Sequence, residues 1–319
     1  MEIYNHFSEF RKLENAVVTI GTFDGVHFGH QKIIRRLCEL AKATGGESVI
    51  LTFFPHPRLI IDPENQHLKM INTIDEKAKI LAGLGVDHLI ITPFTRDFSN
   101  LSPAEYIKQI LVDTIGVKNL IVGYDHRFGK DRLGGMADLQ KFAGLYDFAI
   151  EEIAEQDIND VAVSSTKIRT ALLDGDVALA STYLGYYFSI HGRVIKGDKI
   201  GRTIGFPTAN IFVEETYKLI PSDGIYAVTV ELNGVSFKGM AYIGQRPTIN
   251  GMTRNIEVNI FDFNEEIYGQ LITMNFLKFL RHDVKFTGLE ALKDQLHADK
   301  LATLKYFEEE ANGNKTASA

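Results

Sequence analysis

From residue 16 to about residue 160, apolar runs of strand length alternate with amphipathic runs of helix length, and this alternation constrains the fold more than any other feature of the chain. The strand-like runs AVVTIG, SVILTFF, DHLIITPF, NLIVGYD and FAIEEI are separated by HQKIIRRLCELAKATG, IDEKAKILAGLG, PAEYIKQILVDTIG and GGMADLQKFAGLYD. VVTI, VILTF, LIIT and LIVG are apolar without alternation, as strands are when crossover helices cover both faces. The expected architecture is an α/β N-terminal domain with a doubly wound parallel sheet, whose ligands collect at the carboxyl ends of the strands.

After one helix expected over SSTKIRTALLDGDVALASTYLG, the texture changes near residue 186 to short β runs rich in Gly, Pro and Asn: YYFSIHGRVI, GIYAVTVELNGVSFKGMAYIG, NIEVNIFDF and YGQLITMNFLKFL. This predicts a β-rich C-terminal domain, a small β-barrel closed over by a helix at GLEALKDQLHADKLATLKYFEEE. The expected domains are 1–185 and 186–319, and 319 residues suffice for two separate cores.

With 34 Lys+Arg against 41 Asp+Glu, the net charge of −7 excludes a broad basic surface for nucleic acid or an anionic membrane, so any bound phosphate is gripped locally. The single cysteine, Cys38, cannot form an internal disulfide; it lies in a helical run and suits packing in a reducing compartment. No apolar run approaches the ~18–20 residues of a membrane span. The opening MEIYNHFSEFRKLENAVVTI resembles neither a secretory signal nor a transit peptide, and a cytoplasmic location with no membrane partner is expected.

Two segments at helix starts carry candidate chemistry in the first domain. GTFDGVHFGH, residues 21–30, places His27 and His30 three apart where unpaired N–H groups and the positive end of a helix dipole favour a phosphate. They are equally readable as ordinary helix-start histidines, or as an incomplete zinc set lacking a third ligand. SSTKIR, residues 164–169, offers Ser164, Ser165 and Thr166 as caps, with Arg169 one turn on as a forked cation or a solvated charge.

In the second domain, GDKIGRTIGFPTAN, residues 197–210, is a glycine-rich loop ending in Thr208 and Asn210, two oxygen-bearing side chains on one face of an extended segment, or simply a turn that bonds its own backbone. NIEVNIFDF alternates Ile256, Val258 and Ile260 with Glu257, Asn259 and Phe261, which leaves a carboxylate on a β face, either functional or solvated.

Together GTFDGVHFGH and SSTKIR resemble the signature pair of the HIGH-type nucleotidyltransferases, and more closely the adenylyltransferase half of prokaryotic bifunctional FAD synthetases; TFFPHP (52–57), TIDEK (73–77) and VGYDHRFG (122–129) fit that narrower family. PTAN, E-x-N-I-F, GIYAVTV, AYIGQRPT, EIYGQ and FLRHDVKF resemble riboflavin kinase, so the resemblance covers nearly the whole chain. It implies an enzyme of two activities, riboflavin kinase and FMN adenylyltransferase. Its substrates and products are riboflavin, FMN, FAD, ATP, ADP and pyrophosphate, Mg²⁺ is its metal, and flavoproteins are the recipients of FAD.

By resemblance, His27, His30 and Arg169 act on the ATP phosphates, and Gly21, Phe23, Asp24, Gly29, Ser164, Ser165, Thr166 and Asp125 line the nucleotide. Gly197, Lys199, Gly201 and Gly205 cover the phosphates of the second ATP, Thr208 and Asn210 hold Mg²⁺, and Glu257 accepts the proton of the riboflavin 5′-hydroxyl. Arg281, Phe286 and His56 are the implied flavin contacts. Three rival readings are a nucleotidyltransferase of another substrate with a flavin-sensing barrel, an aminoacyl-tRNA synthetase, and a flavin store. The second is disfavoured by the charge and by the lack of a KMSKS-like segment; turnover of ATP excludes the third.

Overall fold

The computed structural model describes the backbone of residues 1–316 except 63, 65, 66, 125, 155–162, 198, 199, 249 and 250, and side chains save those residues, 132, 200, 246–253 and 313–316. The chain divides into two compact units, Met1–Ser165 and Thr166–Ala319. The change of sequence texture near 186 marks the first barrel strand, whereas the division of the fold falls one helix pair earlier.

The first unit is a six-stranded parallel sheet: β1 (Glu2–Tyr4), β2 (Ala16–Ile20), β3 (Glu47–Phe53), β4 (His88–Thr92), β5 (Val117–Gly123) and β6 (Ala149–Ile153) lie in the order β1-β4-β3-β2-β5-β6. Successive residues of each strand feed opposite layers. Val18, Val49, Leu51, Ile90, Leu120 and Val122 pack with Ile107, Ile110 and Leu111, while Val17, Ile50, Leu89 and Ile121 pack with Ile34, Leu37 and Cys38 of α1 (Phe28–Thr44) and Leu81 of α3 (Ile74–Gly83), α2 being the short helix Pro57–Ile61. Burial of each such side chain contributes roughly 1.5–3 kcal/mol, which is why both positions of the alternation are apolar. Cys38 is a buried free thiol in that second layer.

Three local features depart from the sequence expectation. β1 is only three residues long, too short to carry a periodic signal, yet it pairs with β4 at the sheet edge. After α4 (Arg96–Ser99) and the single turn α5 (Pro103–Glu105), the expected helix winds as a π-helix over Tyr106–Ile115 and stops at Gly116, φ +82°, where a side chain would run into the Leu13 carbonyl. The long helix expected from Ser164 is two, because Gly175 turns left-handed at φ +85° and Asp176 caps the next helix by accepting from the Leu179 amide at 3.0 Å. After α6 (Met136–Tyr146), these are α7 (Ser165–Leu173) and α8 (Val177–Leu184).

In the second unit, β7 (Ser189–Ile195), β8 (Ala209–Phe212), β9 (Gly224–Leu232), β10 (Val235–Thr248), β11 (Gly251–Ile260) and β12 (Leu271–Arg281) close a barrel in the order β10-β11-β8-β7-β12-β9. The short helix α9 (Ile200–Thr203) precedes β8, and α10 (Leu289–Thr316) packs Leu296 and Leu304 on Phe206, Met240 and Phe261. Among the described residues no helix is long and apolar enough to cross a membrane.

Candidate active sites

In the first unit the chain leaves β2 for β3 on one side and later crosses to β5 on the other, so the carboxyl ends of β2 and β5 flank the crevice where such sheets bind ligands. The β2–α1 turn, residues 21–27, lies there. Phe23, Gly25 and Val26 all adopt positive φ, 45°, 84° and 35°, and a β-branched residue in that region is strained. Supports converge on the turn from outside it. The Asp24 carboxylate, 2% exposed, accepts the amides of Ile71 (3.0 Å) and Asn72 (3.4 Å); the Asp24 carbonyl accepts from Ser165 Oγ at 2.9 Å; the Val26 carbonyl accepts from Gln31 Nε2 at 2.9 Å. Phe23 is buried edge-on to His30, and a side chain at Gly21 would press on the Phe23 ring at 3.1 Å.

The turn delivers His27 to the N-cap of α1, where its Nδ1 accepts the His30 amide at 3.4 Å. The two imidazoles stack with ring centres 3.6 Å apart and planes 17° from parallel, and Gly29 is buried between them in sequence. His27 is 5% exposed, and burial pushes its pKa down to about 4; burial, then repulsion from His27 and Lys77, holds His30 well below the usual histidine range. Both rings are therefore neutral at pH 7 and act as hydrogen-bond donors or acceptors, not as resident cations. The buried His30 Nδ1 has no hydrogen-bond partner among the described residues, which leaves a polar atom for a ligand.

Ser164 is partly buried, Ser165 is the first residue of α7 and its Oγ donates to the Asp24 carbonyl, and Thr166 is exposed and Arg169 half-buried. Asp125 lies outside the described residues. His56 is the N-cap of α2, its Nδ1 accepting the Arg58 amide at 3.2 Å. Phe53, Phe94, Phe98, Tyr106 and Phe128, which lie at or follow the carboxyl ends of β3, β4 and β5, make consecutive ring contacts of 5.4–5.9 Å. That aromatic wall escapes sequence reading, because its members come from five separate segments.

The second site is built on a ladder. Glu257 of β11 stands opposite Asn210 of β8 on one side and Tyr242 of β10 on the other. Its carboxylate, in a residue 8% exposed, accepts from Thr208 Oγ1 at 2.8 Å and from Asn255 Nδ2 at 2.6 Å. Asn259 Nδ2 donates to the Pro207 carbonyl at 2.7 Å, which pins the segment bearing Thr208 and Asn210. Thr208, Asn210 and Glu257, 49 residues apart at the extremes, are thus brought together. Asn255 was missed, although its place two residues before Glu257 puts it on the same strand face.

The glycine-rich loop meets this group closely. A side chain at Gly197 would collide with the Asn210 amide, one at Gly201 with the Phe206 carbonyl, and Gly205 turns left-handed at φ +84°. Lys199 lies outside the described residues. Arg281 forms a forked ion pair with the buried Asp299 of α10 at 2.8 and 2.6 Å, and its guanidinium lies 5.9 Å over the Phe286 ring. The oxygens of Thr208, Asn210 and Glu257 suit a hard cation shared with phosphates; among the described residues no three His, Cys, Asp or Glu side chains gather into a metal cage.

Comparison with known proteins places both halves. The model for FAD synthetase matches residues 9–167 and that for riboflavin kinase residues 184–307. Proteins named bifunctional riboflavin kinase/FMN adenylyltransferase from Listeria monocytogenes, Bacillus subtilis and Escherichia coli are 40%, 38% and 37% identical to the chain; each match covers 92% of it and 93%, 92% and 93% of the relative. A solved structure from Streptococcus pneumoniae, named a macrolide-efflux protein, superposes with a TM-score of 0.86 at 32% identity over 95% of this chain and 98% of that one.

Proposed function

The chain belongs to the bifunctional riboflavin kinase/FMN adenylyltransferase family, and on that premise we propose how its residues divide the two reactions. The enzyme phosphorylates riboflavin with ATP to give FMN and ADP, and adenylylates FMN with a second ATP to give FAD and pyrophosphate.

The observation that carries the division is the Thr208–Glu257–Asn210 group held in register inside the barrel unit. Glu257 takes the proton of the riboflavin 5′-hydroxyl as that oxygen attacks the γ-phosphorus and ADP leaves. Two donors already fix its carboxylate, so the base is oriented before substrate arrives. Thr208 and Asn210 would hold Mg²⁺, which would supply charge neutralisation on the phosphates, and Gly197, Gly201 and Gly205 would leave room for the phosphates beside the backbone amides. Arg281 orders the Phe286 segment beside the flavin through its pair with Asp299.

In the first unit the FMN phosphate, already anionic, attacks the α-phosphorus of ATP and pyrophosphate departs, so no base is required. The α1 N-terminus with His27 and His30 donates to the phosphates, and Ser165, bonded to the Asp24 carbonyl, serves the triphosphate together with Thr166 and Arg169 of the same SSTKIR segment. The half-buried rings of Phe53, Phe94 and Phe98, backed by the buried Tyr106 and Phe128, form a surface for the flavin ring system, with His56 at its margin. FAD passes on to flavoproteins, and a chain whose single thiol is buried suits the reducing cytoplasm.

A chromatographic time course with riboflavin, excess ATP and Mg²⁺ tests this. FMN rises and then gives way to FAD, and a chelator of divalent cations stops both steps. FMN accumulation without FAD would remove the first unit from the scheme.

A further inference from the structure

Two imidazoles that are neutral at pH 7 make a poor counter-charge for a triphosphate, yet a cation lies near enough to His30 to act on it. Lys77, 5% exposed on α3, points its ammonium at the β2–α1 turn and donates to the Thr22 carbonyl at 2.6 Å. It faces Asp24, whose charge favours its protonated form, and lies close enough to His30 to oppose protonation of that ring. Asp24 is itself engaged by the amides of Ile71 and Asn72, so its charge is spread over those donors. A buried lysine is costly to keep charged, and here the Thr22 carbonyl and the Asp24 carboxylate both favour the charged form.

We propose that Lys77 supplies the fixed positive charge of the adenylyl-transfer site, acting through the turn and the stacked histidines on the phosphates of ATP without touching them. This rests on the reading of the first unit as that site. The charged and titratable groups around Lys77 are Asp24 from the turn, His30 with its stacked neighbour His27 from α1, and Asp75 and Glu76 from its own helix, Glu76 being held in the capping box with Thr73. Burial brings the lysine down to about 8, within reach of an activity profile.

The test uses the full-length chain and the variants Lys77→Gln, which keeps a donor for Thr22 without the charge, and Lys77→Met. FAD formation from FMN should lose roughly tenfold in kcat/KM for ATP in both, less than the ~10²-fold of a donor that touches the reacting phosphate, because Lys77 acts from behind the turn. FMN formation by the same preparations stays within about twofold, as a reaction of the other unit should, and an unchanged thermal unfolding transition of the first unit certifies the fold around Lys77. In the unsubstituted enzyme kcat/KM for ATP falls as pH rises past about 8, and Lys77→Gln lacks that limb.

FAD formation by Lys77→Gln at the unsubstituted rate would make the lysine a structural donor only and overturn the proposal. Should both variants fold poorly, a flat profile above pH 8 in the unsubstituted enzyme would overturn it as well. Unchanged FAD formation in both His27→Ala and His30→Ala overturns the site assignment itself, a result distinct from slow histidine variants beside a fast Lys77→Gln.

Discussion

The two sites meet phosphates with opposite construction. In the barrel, Glu257 sits in the middle of a hydrogen-bonded ladder, and Thr208, Asn210 and Asn255 reach it through strand register and alternation. In the α/β unit, the histidines hang from a turn with three positive-φ residues, and that turn keeps its shape through Asp24, Gln31, Lys77 and Ser165, which lie up to 141 positions apart in the bonds they make. A ladder fixes a site by local geometry, whereas a strained turn fixes it by support from elsewhere. Substitutions near the first site should therefore act at a distance, and those near the second only through direct partners.

The sharpest break between the two comes from the carboxylate. Glu257→Ala removes the base and its hydrogen bonds, and FMN formation should fall by roughly 10²–10⁴-fold while FMN-to-FAD conversion persists, measured by chromatography of the three flavins. If both steps fell together in a folded variant, the assignment of one reaction to each unit would collapse.

Next in size, His27→Ala and His30→Ala should each slow FAD formation by roughly 10²–10³-fold with FMN formation intact, as one lost donor to developing charge does. Asn255→Ala sharpens the comparison on the barrel side. It removes one of two donors to the carboxylate, a charge-assisted bond of about 1.5–3 kcal/mol, and should slow FMN formation by roughly tenfold while FAD formation is untouched.

The smallest effect is thermodynamic and belongs to the turn. His27 has its pKa at about 4 in the folded state against 6.5 for the free side chain, so the unfolded chain binds the proton first as pH falls. The stability this contributes is complete above pH 6.5 and is lost progressively down to pH 4, by about 3 kcal/mol. Calorimetry between pH 4 and 6.5 should show the loss, and His27→Asn should flatten it; an unchanged slope in the variant would mean other groups dominate.

Much of this was legible in the residues. Strands buried on both faces announce themselves as uniform apolar runs, and Val17 with Val18, or Ile50 with Leu51, feed opposite layers as that pattern demands. His27 and His30 do open a helix, as their spacing suggested, whereas of Thr208 and Asn210 only Asn210 lies on the strand, Thr208 standing just before it. The break at Gly175 was written in DGD and was passed over because the apolar periodicity resumes on both sides of it. Asp24 and Lys77 were not legible as supports, because what each holds lies some fifty residues away in sequence and comes near only once the sheet is wound. The π-helical winding after Tyr106 has no sequence signal of its own, since its apolar spacing also fits an α-helix.

The closed barrel sets an order on the birth of the chain. His191 of β7 pairs with Thr273 of β12, so the first strand of the barrel has no partner on that side until the last has left the ribosome. The parallel sheet is complete at Ile153, more than a hundred residues earlier, and is free to fold while the barrel is still being synthesised. During that interval β7 offers an open edge, and a nascent chain stalled before residue 271 would carry an adenylyltransferase unit able to fold behind a kinase unit that cannot close.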